Sequence, residues 1–172
     1  MTLPAVGDNL RCIREGIDRI DAMDDAAYTR APITPVGACL GAQFRHILDH
    51  YTCLLRGVRT GTVDYDDRPR QQRIEQDRCC ARDAFAAAAA DLGALEAADL
   101  DRPLQISLRA GAAAEITVGA APTTLARELH FVMTHTVHHY ALIAAELAAR
   151  GVDCGEGFGV APATRGWRAA QR

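Results

Sequence analysis

Four of the six histidines in this 172-residue chain form two pairs, each with three residues between its members. The stretch "RHILDHY" holds His46 and His50, and "THTVHHYALI" holds His135 and His139. In a helix, residues four apart project from one face, one turn apart. Burying four imidazoles without partners costs ~1–3 kcal/mol for each unsatisfied polar group, and a shared divalent metal would satisfy several at once. The two pairs therefore indicate a metal site.

Both pairs fall in segments that are predicted to be helical. The last long helix is predicted to open at Pro122-Thr123-Thr124 and to end near Arg150. His135 and His139 lie at the edge of its apolar stripe, whereas His130 and His138 point away from it. The stripe consists of Leu125, Leu129, Val132, Thr136, Tyr140, Ile143 and Leu147.

The His46 and His50 pair flanks the stripe of a second helix. Thr34-Pro35, a capping hydroxyl followed by a proline, predicts the start of this helix, and Gly61 follows its predicted end near Thr60. In the polar connection after it, Tyr65, Asp67 and Arg68 could close over one end of a bundle. They could equally form surface ion pairs and a turn.

Two further helices complete a predicted all-α fold. Apolar residues at three- and four-residue steps predict a first helix over about Pro4 to Tyr28, and an alanine-rich segment predicts a third over about Gln71 to Ala97. The alternating runs "QISL" and "EITV" predict a short β-hairpin or irregular excursion before the last helix. We expect a four-helix bundle in one domain, residues 1–172, with a core over about 5–150 and a surface-lying tail over 151–172.

Composition narrows the classes of function. The formal net charge of -3 and pI of about 6.0 lack the basic excess of a nucleic-acid binder. No run is apolar enough to span a bilayer, the first residues lack the pattern of a signal peptide, and the six cysteines include no C-x-x-C. We expect a cytoplasmic protein with reduced cysteines and neither nucleic-acid nor membrane partners.

The motifs "GAQFRHILDHY" and "RELHFVMTHTVHHYALIA" resemble those of the DinB/YfiT-like superfamily of metal-binding four-helix bundles. The resemblance implies an up-down-down-up style bundle, often dimeric, so a homodimer is plausible. It also implies one metal held by His46, from an H-x-x-D-type motif completed by Asp49, and by His135 and His139. The role of His50 stays open between a fourth ligand, a proton shuttle and a neighbour.

Three neutral imidazoles leave an open coordination position, which is typical of a catalytic metal site. Nitrogen ligands suit a divalent transition metal such as zinc, nickel or iron, with zinc slightly favoured. The open position would take water or a thiol bound as thiolate. Glu128, seven residues before His135, and Asp49 are candidates to orient a ligand or move a proton, and with His50 they form the predicted catalytic set.

The resemblance implies an enzyme that acts on a small molecule, because relatives include S-transferases and isomerases that use a low-molecular-weight thiol. Other relatives are described as metal-dependent hydrolases. The alternative is a non-catalytic, stress-associated metal-binding protein whose metal stabilises the bundle. An open cavity beside the metal would favour the enzyme, and a fourth position filled by His50 or Glu128 would favour the structural role.

Overall fold

Helices dominate the parts of the chain that this computed structural model describes, which are residues 3–34, 38–110 and 116–171. The helices are α1 (Pro4–Asp21), α2 (Asp25–Thr29), α3 (Leu40–Thr60), α4 (Gln72–Gln76), α5 (Arg78–Gly93), α6 (Ala97–Leu100), α7 (Leu125–Ala149) and α8 (Pro162–Ala170). The strands are β1 (Thr62–Val63), β2 (Pro103–Ala110) and β3 (Ile116–Thr124). This mostly helical architecture confirms the predicted fold class in its coarse form.

The four longest helices, α1, α3, α5 and α7, pack around one apolar core. Helices α1 and α3 each contact both α5 and α7. Gly16 of α1 allows a close approach, because a Cβ atom at this position would collide with the hydroxyl of Tyr140. That hydroxyl donates a hydrogen bond of 2.7 Å to the carbonyl oxygen of Cys12. The stripe predicted for α7 is confirmed, since Leu125, Leu129, Val132, Thr136, Tyr140, Ile143 and Leu147 are all buried.

The predicted hairpin is present as strands β2 and β3, which pair antiparallel; β1 joins β2 in parallel, giving the order β1-β2-β3. The residues that link β2 to β3, 111–115, lie outside the described residues. Pro122 and Thr123 belong to β3, so α7 begins at Leu125 and not at the predicted Pro122. The Thr124 hydroxyl caps α7, accepting a hydrogen bond of 3.3 Å from the backbone N–H of Arg127.

The predicted end of the first helix, near Tyr28, is wrong. Helix α1 stops at Asp21, and the separate short helix α2 carries the chain to Thr29. The cause is Asp24, which adopts an extended conformation and caps α2 by accepting a hydrogen bond of 2.6 Å from the N–H of Ala27. The apolar steps that suggested one helix continue across this break.

The helix that carries His46 and His50 also begins later than predicted, at Leu40 and not at Thr34-Pro35. Pro35 lies outside the described residues. Thr34 does not cap α3, because its hydroxyl donates a hydrogen bond of 2.6 Å to Glu146 on α7. Gly61 ends α3 as predicted, in the left-handed conformation with φ of 84°.

Glu146 ties the segment before α3 to α7. Its carboxylate is buried and accepts hydrogen bonds from the backbone N–H of Ile33 at 2.9 Å and of Thr34 at 3.0 Å, and from Arg150 Nε at 2.9 Å. Burial by itself raises the pKa of Glu146, but the bonds from Thr34, Ile33 and Arg150 outweigh it and hold this pKa at about 2. The charged form therefore stabilises the fold.

The third predicted helix is interrupted, and the tail is more regular than predicted. Asp77 separates α4 from α5 in an extended conformation and caps α5 by accepting a hydrogen bond of 3.0 Å from the N–H of Cys80. Helix α5 ends at Gly93, before the predicted Ala97. In the tail, Pro162 opens α8, in which no residue is buried. Within the described ranges, no helix has both the length and the apolar composition that crossing a bilayer requires.

Candidate metal centre

The adjacent helices α3 and α7 bring two of the predicted ligands together. The Nε2 atoms of His46 and His135 are 3.0 Å apart. Two imidazole nitrogens at this distance repel unless a proton or a cation lies between their lone pairs. Two nitrogens bound to one zinc ion at ~2.0–2.1 Å cannot be more than ~4.2 Å apart, and this pair meets that limit.

His50 joins them, because one ring nitrogen from each of His46, His50 and His135 lies within 4.8 Å of the others. The Nδ1 atom of His50 is 2.9 Å from the carbonyl oxygen of His46. A carbonyl oxygen only accepts hydrogen bonds, so Nδ1 carries the proton and Nε2 of the neutral ring keeps a free lone pair. This tautomer is the one that a metal ligand needs.

His139 lies beside the same cluster but is not one of those three residues. Its ring centroid is 4.4 Å from that of His46 and 4.5 Å from that of His135. Its Nδ1 is 2.6 Å from Oε1 of the buried Gln43, so Nδ1 donates and Nε2 again has a free lone pair. The predicted role of His139 as the third ligand stays a prediction.

All four imidazoles are neutral near pH 7. Burial, then the neighbouring His139 and His50, lower the pKa of His46 to about 3. Burial, then His50 and His139, hold the pKa of His135 at about 3. Burial followed by the influence of His138 and His50 lowers the pKa of His139 to about 4, and burial also lowers the pKa of His50. Their lone pairs are therefore available to a cation.

The two remaining histidines on α7 point elsewhere. His130 and His138 are both exposed, whereas His135 and His139 are half-buried. The predicted division of the α7 histidines into two at the core edge and two facing solvent is therefore confirmed by their exposure.

Glu128 is fully buried, and the Tyr65 side chain lies between it and the histidine cluster. Its carboxylate accepts hydrogen bonds from the hydroxyl of Tyr65 at 2.9 Å, from the hydroxyl of Thr123 at 2.7 Å, and from Arg127 Nη1 at 2.7 Å. Within the described residues no histidine shares a hydrogen bond with it. Tyr65 links it to the cluster, because the Tyr65 ring stacks on that of His50 with centroids 5.4 Å apart.

Asp49 is also buried, but its hydrogen-bond partners lie outside the histidine cluster. One oxygen accepts a hydrogen bond of 2.9 Å from Arg45 Nη1, and the other accepts one of 3.2 Å from the backbone N–H of Arg70. No described histidine is hydrogen-bonded to Asp49. Its carboxylate therefore fixes the loop after β1 against α3.

Three side chains at the site were not among the predicted site residues. Gln43 holds His139, Phe131 stacks on His135 with ring centroids 5.9 Å apart, and Arg68 Nη1 lies 3.5 Å from Nδ1 of His46. Gln43 lies seven residues before His50, and Phe131 lies four before His135, so each shares a helix face with a predicted residue. Arg68 lies in a loop, whose sequence has no periodicity from which its position could be predicted.

The donor set fits a divalent transition metal. Neutral imidazole nitrogens are ligands of zinc, copper, iron and nickel. The Nδ1–H groups of His50 and His139 are held by oxygen acceptors, as is usual for metal-bound histidines. The residues that could supply nitrogen are His46, His50, His135 and His139. Among the described residues, the potential ligand atoms that lie within 4.8 Å of one another here are all imidazole nitrogens.

Comparison with known families agrees with this geometry. The sequence profile of the DinB superfamily matches residues 11–143, which include α3, α7 through Ile143 and all four clustered histidines. The chain therefore belongs to the DinB superfamily, whose members bind metals. A search of the curated proteins gives no match.

Proposed function

We propose that this chain is a metal-dependent enzyme with a three-histidine site, and that it catalyses transfer of a low-molecular-weight thiol or a hydrolysis. Thiol transfer is favoured over hydrolysis by the resemblance of its motifs to the family. The observation that carries the proposal is the meeting of neutral imidazoles from α3 and α7, with Nε2 atoms of His46 and His135 only 3.0 Å apart. We further propose that α1, α3, α5 and α7 form the up-down-down-up bundle of the family.

The ligands that we propose are His46, His135 and His139. Two of them lie on one face of α7 with ring centroids 4.5 Å apart, and His46 faces both from α3. Gln43 supports this set, since it fixes the tautomer of His139 in which Nε2 has a free lone pair. In this set His50 stays free to act as a base.

A second set, His46, His50 and His135, is favoured by one observation: their nitrogens lie within 4.8 Å of one another. The hydrogen bond from His50 Nδ1 to the carbonyl oxygen of His46 also leaves Nε2 of His50 available. The two sets differ only in whether His50 or His139 is the third ligand, so paired substitutions separate them.

A divalent metal held by these histidines would supply Lewis acidity, which would lower the pKa of a bound thiol or water. The residues around the histidines have separate tasks. His50 Nε2 accepts the proton that the thiol or water loses. Tyr65 orients the His50 ring by stacking on it, and the buried Glu128 holds the Tyr65 hydroxyl in place. Phe131 packs on His135 and excludes water from that side.

The second candidate function is a structural metal site without catalysis. It is favoured by the close packing of the rings, in which the His50 and His135 centroids are only 3.9 Å apart and Tyr65 and Phe131 cover the pair. Such a shell would leave little room for a substrate beside the metal.

Elemental analysis of protein purified without added metal is the first test, and the expected result is close to one transition-metal ion per chain. His139→Gln should then lose the metal and His50→Gln should keep it. His138→Gln is the matched control, because it removes an exposed neighbouring imidazole. The reverse result for His139 and His50 would establish the second ligand set.

Activity is tested on the same preparations with a low-molecular-weight thiol and a chromogenic aryl halide, and separately with a chromogenic aryl ester. Metal-dependent turnover that falls in His50→Gln at full metal content supports the enzyme. A metal that is retained through dialysis against chelator, with no turnover of either substrate, would favour the structural candidate.

A further inference from the structure

Arg68 brings an unneutralised positive charge to the histidine cluster. Its Nη1 atom is 3.5 Å from Nδ1 of His46, and its Nε is buried without a hydrogen-bond partner among the described residues. No described carboxylate forms an ion pair with it. The other arginines on neighbouring elements are each paired: Arg45 with Asp49 and Glu75, Arg56 with Asp67, and Arg127 with Glu128.

The loop that carries Arg68 is fixed on both sides of this residue. Before it, the carbonyl oxygen of Asp67 accepts a hydrogen bond of 2.7 Å from Arg56 Nη2. After it, the N–H of Arg70 donates to the buried Asp49 at 3.2 Å, and Arg70 has a positive φ of 50°, which is unfavourable for a residue with a side chain. Anchors on both sides hold the free guanidinium toward His46.

A guanidinium in this position requires a negative charge. Arginine stays protonated, so burying its Nε–H without an acceptor costs free energy. A divalent metal bound by the adjacent imidazoles would add repulsion between two positive charges. An anion lying between Arg68 and the open metal position would remove both costs, and no described side chain supplies one.

Arginine selects the shape of that anion. Its planar fork of N–H donors matches a carboxylate with two parallel hydrogen bonds, and a single free guanidinium matches a single negative charge. The aromatic rings of Tyr65 and Phe131 border the cluster and suit the apolar body of an organic acid. We propose that Arg68 is the substrate-binding residue for a carboxylate, and hence, resting on the proposed function, that the electrophile or ester acted on here is an organic acid.

Acetate binding tests this without any turnover. Acetate is titrated into zinc-loaded and into metal-free protein, followed by calorimetry and by the arginine Nε–H resonances in NMR spectra. We expect saturable binding that shifts one buried Nε–H, is tighter with zinc present, and is weakened at least tenfold in Arg68→Gln. Arg59→Gln is the matched control, because it removes the same charge from an exposed arginine on α3.

A second variant distinguishes the loss of the anion site from misfolding of the protein. Arg68→Lys keeps the charge without the planar fork, and it should recover part of the acetate affinity. Equal acetate binding by wild type and Arg68→Gln would overturn the proposal, and inorganic phosphate binding at Arg68 more tightly than acetate would overturn the carboxylate assignment. If the protein takes up no zinc but acetate binding still depends on Arg68, the metal-dependent function fails and the anion site stands.

Discussion

The hydrogen bond between Gln43 and His139 gives the sharpest test of the proposed ligand set. Gln43 is 6% exposed, and its Oε1 lies 2.6 Å from Nδ1 of His139. In Gln43→Leu the size of the side chain is roughly kept, but the Nδ1–H loses its acceptor and the ring can adopt the other tautomer. If His139 is a ligand, zinc affinity should fall ~10–100-fold, the usual effect of losing a group that orients a ligand.

The magnitude can be stated for both forms of the protein. A 10–100-fold loss of affinity corresponds to ~1.4–2.7 kcal/mol of zinc-binding free energy. In the metal-free protein, an imidazole N–H left without an acceptor lowers the free energy of unfolding by ~1–3 kcal/mol. Gln43→Glu should behave oppositely, because a carboxylate accepts a stronger hydrogen bond from the Nδ1–H and keeps or tightens zinc binding.

Zinc affinity is measured by competition with a chromogenic chelator at fixed pH, and stability by urea denaturation of the metal-free protein. Gln72→Leu, an exposed glutamine on α4, is the control for the change in composition. Unchanged zinc affinity in Gln43→Leu would refute the ligand role of His139, provided that the free energy of unfolding still falls and so shows that the hydrogen bond was lost.

Three other predictions concern single side chains. Glu128→Gln should keep its zinc and lose ~10–100-fold in turnover, because it weakens the hold on Tyr65, and unchanged turnover with full zinc content would contradict this. His130→Gln and His138→Gln, which remove exposed imidazoles, should leave the zinc content unchanged in elemental analysis. Glu146, whose pKa falls from 4.5 to about 2 on folding, stabilises the protein above pH 4.5, and this contribution is lost as pH falls toward 2. Glu146→Gln should therefore lower the unfolding free energy by ~1–3 kcal/mol at pH 7, with the difference shrinking below pH 4.5 in denaturation curves.

The ends of two helices could not be predicted from the local sequence pattern. The apolar steps of the first helix continue through residues 22–24, and only the cap made by Asp24 breaks the helix there. Thr34 has the sequence character of a cap, yet its hydroxyl bonds to Glu146, 112 residues away in the chain. A side chain that can cap a helix can also form hydrogen bonds with other groups, and the folded position of distant residues determines which bond forms.

Some hydrogen-bond partners of the acidic residues Glu128 and Asp49 could not be predicted from residue spacing either. Glu128 and Asp49 each lie on a helix that also carries clustered histidines. One hydrogen bond to Glu128 comes from Tyr65 and one to Asp49 comes from the N–H of Arg70, and both donors belong to a loop without periodicity. The bonds from Arg127 and Arg45 come from the same helices as the two acidic residues. Helical spacing fixes which residues share a face, whereas a loop is placed only by the contacts of the folded chain.

Periodicity and residue spacing predict the helical class, a hairpin or irregular excursion before the last helix, and the two histidine pairs, and the histidine motifs indicate the family. These follow from rules of 2- and 3.6-residue periodicity that act over a few turns. The folded chain was needed to show that His46 meets His135, that His50 lies as close to them as His139, and that Arg68 faces the cluster without a carboxylate partner. The physical reason is that these contacts join residues of α3, α7 and a loop, whose relative positions depend on packing of the whole core.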